Sequence, residues 1–152
     1  MAIYKIVAVP EKVLRQKAKP VTKINAGVLR LLDNMKDTMY AYDGLGLAAP
    51  QIGVSKRVVV IDDGEKYYEL INPVILESEG EQTASEGCLS VPGVVGVVTR
   101  AQKVRVKAMN RDGEEVDILA ADLLARAMQH EIDHLEGIVF TDRASSIESE
   151  NN

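Results

Sequence analysis

Both histidines of this 152-residue chain lie in one short stretch, His-Glu-Ile-Asp-His, at positions 130 to 134. On an α-helix, residues four apart share a face, so His130 and His134 can bind one metal ion together. Glu131 follows the first histidine and can reach a water molecule beside that ion, where a hydrolase needs its general base. The spacing therefore predicts a catalytic metal centre carried by a helix.

The helix around this motif has a polar side and an apolar side. Over residues 121–136, helical spacing places Leu123 and Ala127 in line with the two histidines, on the side expected to pack inward. A buried imidazole without a partner costs about 1–3 kcal/mol, and a shared metal ion would satisfy both rings. Gly137 is expected to end the helix. The opposite stripe is wholly polar: Asp122, Arg126, Gln129, Asp133 and Glu136.

A catalytic zinc or iron site normally has three protein ligands and an open position for water. The chain has no third histidine, and its single cysteine, Cys88, is the obvious remaining ligand. Gly87 beside it would let the backbone approach a metal closely. A lone cysteine can equally be a small buried apolar residue, and inward histidines can bond to carbonyls, so the residues alone leave these alternatives open.

Length and composition predict one catalytic domain over residues 1–152, with an ordinary globular balance of 46% apolar and 27% charged residues. The net charge of −5 argues against a chain built to hold nucleic acid by charge alone. The basic region from Lys12 to Lys23 is a local exception, either a solvated surface or a docking patch. No apolar run reaches the roughly 20 residues of a membrane span, and no signal peptide is visible, so we expect a cytoplasmic protein without a membrane partner.

Hydrophobic periodicity predicts an α+β fold, with antiparallel sheets packed around the C-terminal metal-binding helix and a second long helix near the N-terminus. That first helix is expected from Asn25 to Tyr42. Turns are expected at Asp63-Gly64, Asn72-Pro73 and Arg111-Asp112-Gly113. Residues 145–152 read as a polar, frayed tail after the last helix. The predicted strands are Arg57–Ile61, Tyr67–Ile71, Val74–Glu77, Val94–Thr99, Val104–Met109 and Val116–Leu119.

Three motifs follow one another along the chain. They read Gly44-x-Gly46-Leu47-Ala48-Ala49-x-Gln51, Glu86-Gly87-Cys88-Leu89-Ser90 and Gln129-His130-Glu131-x-Asp133-His134-Leu135. In this combination the chain resembles the peptide deformylases over nearly its whole length. The resemblance implies an enzyme that removes the N-formyl group from the initiating methionine of nascent chains and releases formate.

The resemblance also implies roles for individual residues. Cys88, His130 and His134 would hold the metal, and Glu131 would act as general base and then general acid. The amide of Gln51 and the backbone N–H of Leu89 would meet the developing oxyanion.

Further positions match residues that bind substrate or support the site in that family. Gly46 lies in a segment that looks like one wall of the cleft, and Leu45, Leu123 and Ala127 match positions that line the methionine pocket. Glu86 and Arg100 resemble an ion pair that steadies the cysteine loop.

Two imidazoles and a thiolate suit Zn²⁺, but also Fe²⁺, Ni²⁺ and Co²⁺, and the resemblance implies Fe²⁺ as the native ion. The expected partners are formyl-methionyl nascent peptides and the ribosome near its exit. Two rival interpretations are a small His-Glu-x-x-His metalloendopeptidase and a non-catalytic binding module that retains a metal site.

Overall fold

The computed structural model describes residues 2–149, which form two antiparallel sheets and two α-helices. Helix α1 spans Ala26–Ala41 and helix α2 spans Asp122–Leu135; short 3-10 helices lie at Lys12–Arg15, Ala49–Ile52 and Phe140–Asp142. The strands are β1 (Gly46–Ala48), β2 (Val58–Asp62), β3 (Tyr67–Glu79), β4 (Gln82–Cys88), β5 (Val91–Arg100), β6 (Lys103–Met109), β7 (Glu115–Ala121) and β8 (Ser146–Ser149).

One sheet has five strands in the order β1-β2-β3-β6-β7, and the other has three in the order β4-β5-β8. This arrangement confirms the predicted α+β class. Side chains alternate along a strand, and β2 uses both faces. Val58 and Val60 pack with α1 in one apolar cluster, whereas Val59 and Ile61 pack with α2 in another. The five-stranded sheet is therefore a layer between the two helices.

Helix α1 begins where the sequence predicts it. The side chain of Asn25 accepts a hydrogen bond from the backbone N–H of Val28 at 3.1 Å, which caps the first turn. Met35 and Met39 lie one turn apart and are fully buried against the five-stranded sheet. The helix ends before Asp43, whose φ of 55° takes the chain out of helical geometry and towards β1.

Helix α2 carries His130, Glu131 and His134, and Gly137 follows it with a φ of 78°. A Cβ at Gly137 would lie 2.6 Å from the carbonyl oxygen of Arg15, so this close approach requires glycine. The polar stripe of the helix is partly buried, although all of its residues are polar. Arg126 is only 6% exposed, because β4 and β5 cover that side and supply its hydrogen-bond partners.

The predicted turn at Asn72-Pro73 is wrong. Strand β3 runs through it as one strand, with an irregularity in its pairing to β6 between Ile71 and Val74. Proline has no N–H for the ladder, and Asn72 has a φ of 52°, so the strand bends here without ending. The Asn72 side chain bonds the backbone N–H and carbonyl of Val21, each at 2.8 Å, which holds the bend.

The prediction of a frayed tail over residues 145–152 is also wrong for the residues that the structure describes. Strand β8 pairs with β5, so α2 is not the last element, and residues 150–152 lie outside the described part. Gly96 of β5 makes the approach possible, since a Cβ there would lie 3.1 Å from the carbonyl oxygen of Ser146. Sequence periodicity missed β8 because a strand of four exposed residues, three of them polar, is recognisable only by its backbone pairing. In the described part of the chain, no helix is long and apolar enough to cross a membrane.

Candidate metal centre

Three potential metal ligands converge where α2 passes the end of β4. The ligand atoms of Cys88, His130 and His134 all lie within 4.8 Å of one another. The sulfur of Cys88 is 3.3 Å from Nε2 of His134. Cys88 ends β4, whereas both histidines lie in the last two turns of α2. The tertiary fold thus brings together the three ligands that the sequence predicts.

The chemistry of these donors fits a divalent metal ion. Nδ1 of His130 lies 2.9 Å from Oε1 of Glu86, which leaves Nε2 as the nitrogen available to a metal. Burial lowers the pKa of His134 well below its usual value, which keeps the ring in the neutral form that binds metals. Among the described residues, Oε1 of Glu131 is buried without a protein hydrogen bond. A thiolate, two imidazoles and a nearby uncommitted carboxylate match a catalytic site with an open position.

Two hydrogen-bond donors approach the sulfur of Cys88. The backbone N–H of Ser90 donates to it at 3.4 Å and the Gln51 side-chain amide at 3.5 Å. The same amide of Gln51 donates to the hydroxyl of Ser90 at 3.2 Å, and its oxygen accepts from the N–H of Ala48 at 2.9 Å. Gln51 is thereby held in one orientation beside the cysteine.

Glu86 contacts the His130 ring on the side of Nδ1, away from the nitrogen available to a metal. Arg100 donates to its two carboxylate oxygens at 2.6 and 2.9 Å, and Arg126 donates a further hydrogen bond. Burial alone would raise the pKa of Glu86, but the hydrogen bonds from His130 and Arg100 outweigh it and lower the pKa to about 2. Glu86 is therefore an anion at every physiological pH, and it fixes the orientation of the His130 ring.

Glu131, unlike Glu86, is buried with a carboxylate oxygen that receives no hydrogen bond from any residue that the structure describes. It is 5% exposed, and burial raises its pKa to about 7, which suits a group that accepts and returns a proton near neutral pH. Its carboxylate lies against β1, where a Cβ at Gly46 would come within 2.8 Å of Oε2. Only glycine at position 46 leaves room for the carboxylate in this position.

A cleft of about 580 Å³ is lined by Cys88 and His130 and by each predicted substrate-binding residue. Leu45 and Leu123 are partly exposed at its mouth, whereas Ala127 is buried within. Leu89 lies in the two-residue turn between β4 and β5 and also lines the cleft. Gly46 provides part of the wall formed by β1.

Sequence reasoning missed several residues that shape this site. The sequence places Arg126 on the polar stripe of α2, and nothing in it pairs this arginine with Glu86, 40 positions away. Ser90 is fully buried beside Cys88, and the Phe140 ring stacks on His130 with centroids 6.3 Å apart. Asp133 accepts a hydrogen bond from Arg100 at 3.0 Å and is also bonded to Arg143. Such contacts arise between distant segments, so no local pattern indicates them.

A cysteine sulfur and two imidazoles beside a cleft, next to a carboxylate able to accept and return a proton, define a metal-dependent hydrolase. Residues 3–150 match the family model for polypeptide deformylase, and the chain belongs to that family. It is 63% identical over 144 residues to the peptide deformylase of Syntrophomonas wolfei, an alignment that covers 95% of each chain.

Solved structures agree with this assignment. The peptide deformylase of Thermotoga maritima superposes with a TM-score of 0.92 at 43% identity, covering 95% of this chain and 99% of that one. The Synechococcus elongatus enzyme, solved in complex with actinonin, has a TM-score of 0.91 at 40% identity, covering 94% and 79%. The resemblance inferred from the motifs is confirmed, and with it an enzyme that deformylates nascent peptides.

The contact between Gly46 and Glu131 leads to a prediction. Gly46→Ala should lower kcat by at least about tenfold, because displacing a catalytic group by less than 1 Å can cost up to a hundredfold. The metal content should stay unchanged, since no proposed ligand moves. Steady-state kinetics and metal analysis of the purified variant would check this. Gly27→Ala, in the first turn of α1, is the control, and full activity of Gly46→Ala would contradict the assigned position of Glu131.

Proposed function

We propose that Cys88, His130 and His134 hold the catalytic metal with which the enzyme removes the formyl group from N-formylmethionine, within one catalytic domain. The observation that carries the proposal is the convergence of these three donors within 4.8 Å of one another, beside the uncommitted carboxylate oxygen of Glu131. A bound divalent ion would supply Lewis acidity, polarising the formyl carbonyl and acidifying a water molecule.

Glu131 is the proton carrier in this proposal. It takes a proton from the attacking water, whose oxygen forms a bond to the formyl carbon. When the carbon–nitrogen bond breaks, Glu131 returns the proton to the departing amine, and formate leaves. Its burial supports both steps, because a carboxyl group with a raised pKa is a stronger base in its ionised form.

Gln51 and Leu89 stabilise the oxyanion that develops during attack. The side-chain amide of Gln51 already points to the sulfur of Cys88 and is fixed by Ala48 and Ser90, so it costs little reorganisation in the transition state. Leu89 contributes its backbone N–H from the turn that follows Cys88. Glu86 and Arg100 support the site by orienting His130 and the strand end that carries the cysteine.

The methionine side chain enters the pocket bounded by Leu45, Leu123 and Ala127. The half-exposed leucines at its mouth become buried when an apolar side chain enters, which favours binding. Gly46, on the wall of the cleft, leaves its backbone accessible to the peptide.

We infer Fe²⁺ as the native ion, with Zn²⁺, Ni²⁺ and Co²⁺ as possible substitutes for this thiolate and imidazole set. Purification without oxygen, followed by metal analysis and an activity assay, tests this. Iron in stoichiometric amount and the highest turnover with iron are expected. Zinc as the only bound metal in fully active protein would contradict it.

We propose a weak contact with the ribosome near its exit through the basic region from Lys12 to Lys23, which would place the enzyme in the cytoplasm beside its substrate. Part of this charge is compensated within the protein, since Arg15 pairs with Asp142 at 2.5 Å. Binding should therefore be weak and sensitive to salt. Cosedimentation with ribosomes at low and high salt tests this, and a Lys12→Glu, Lys23→Glu variant that sediments like the parent would rule it out.

Substitution of Glu131 tests the chemistry directly. Glu131→Gln should keep the metal but slow formate release by at least about a hundredfold, because general acid–base catalysis contributes that much or more. Glu136→Gln, at the end of the same helix and outside the cleft, should leave the rate unchanged. A metal-bound Glu131→Gln protein with normal turnover would disprove the role. Cleavage of blocked, unformylated peptides by the parent enzyme would instead favour an endopeptidase.

The pocket leads to a prediction on specificity. Formyl-Met peptides should be hydrolysed well ahead of formyl-Ala and formyl-Gly peptides, because each methylene lost from such a pocket is worth about 1–3 kcal/mol. Ala127→Trp should fill the pocket and remove the preference while the metal is retained. Leu119→Trp, on the exposed side of β7, is the matched control. Measurement of kcat/KM for the three peptides tests this preference. Equal values in the parent enzyme would show that this pocket does not select the methionine side chain.

A further inference from the structure

We infer that Arg126 is a positioning residue of the metal centre, because it ties the helix that carries two of the proposed ligands to the strand that carries the third. This inference rests on the ligand set proposed above. It concerns a side chain that lies outside that set and that performs no chemistry itself.

The three ligands come from two separate layers of the protein. His130 and His134 belong to α2, which packs mainly against the five-stranded sheet, on β1, β2, β6 and β7. Cys88 belongs to β4, in the three-stranded sheet. The separation of the sulfur from the two imidazoles therefore depends on the side chains that join α2 to the three-stranded sheet.

Arg126 makes this connection with three of its nitrogen atoms. Nη1 donates to the carboxylate of Glu86, and Nη2 donates to the carbonyl oxygens of Gln82 at 3.0 Å and Val98 at 3.1 Å. Nε lies 3.3 Å from Oε1 of Gln82. These partners lie on both β4 and β5, and the arginine side chain is only 8% exposed. A planar guanidinium with fixed donor directions can hold one helix against two strands in a defined position.

The same guanidinium acts on His130 through Glu86. Arg126 bonds Oε2 of this carboxylate, while Nδ1 of His130 meets Oε1 at 2.9 Å. Partners on the outer side of a metal-bound histidine set the ring orientation and the basicity of the ligand. Arg100 makes a second connection to α2 by donating to Asp133 at 3.0 Å. Arg126 lies four residues before His130, and Asp133 lies three residues after it. The two connections to the three-stranded sheet therefore lie on either side of this proposed ligand.

The test uses the full chain loaded with Co²⁺. Arg126→Met replaces the arginine by an uncharged side chain of similar length without donors. Release of Co²⁺ to excess chelator should become about tenfold faster, the lower end of the effect of losing an outer partner of a metal ligand, because Arg126 acts on His130 through Glu86. The thiolate-to-cobalt absorption should also shift, since the sulfur moves relative to the imidazoles. A general loss of stability would not by itself change this band.

Arg111→Met is the matched control. Arg111 donates three hydrogen bonds to Glu69 and Asp33, so its loss removes several guanidinium hydrogen bonds away from α2, β4 and β5. This variant should release Co²⁺ at the parental rate and with the parental spectrum.

Arg126→Lys covers the case in which the methionine variant does not fold. Lysine keeps a positive charge opposite Glu86 but cannot bond the carbonyls of Gln82 and Val98 at the same time, so release of Co²⁺ should again be faster. A folded Arg126 variant with parental release and spectrum would overturn the inference. A parent protein that binds Co²⁺ without a thiolate band would instead overturn the proposed ligand set.

Discussion

The site depends on one buried carboxylate. Glu86 lies where α2 meets the three-stranded sheet, and it receives hydrogen bonds from Arg100, Arg126 and His130. A buried charge that lacks partners destabilises a protein strongly, so this anion persists only because strand and helix both supply donors to it. The result is a fixed acceptor behind His130, and through it a fixed relation between α2 and the strand that ends in Cys88.

Two glutamates near the candidate metal centre have pKa values shifted in opposite directions by their surroundings. Hydrogen bonds hold the pKa of Glu86 at about 2, whereas burial without a protein partner raises the pKa of Glu131 to about 7. One carboxylate is suited to a permanent structural charge, and the other to carrying a proton near neutral pH. The residue type is the same, so the division of roles lies wholly in what each side chain touches.

Three glycines allow the close contacts between segments on which this site depends. Gly46 leaves space for the carboxylate of Glu131, and Gly137 lets the segment after α2 pass the backbone of Arg15. Gly96 lets β8 pair along β5, the strand that supplies Arg100 and one wall of the cleft. Each glycine permits a close approach between segments far apart in sequence, so its purpose becomes visible only in the folded chain.

The sequence by itself predicted the metal-binding motif and the class of fold. The spacing of His130, Glu131 and His134 predicted a metal centre on a helix, and the alternating strands predicted the antiparallel sheets. Such signals are local, because helical and strand periodicity place side chains on one face without reference to the rest of the chain. The tertiary structure decided what depends on distant contacts: the burial of Arg126, the pairing of β8 and the continuity of β3 through Asn72. Hydrogen-bond partners from other segments settle these features, and no local pattern contains them.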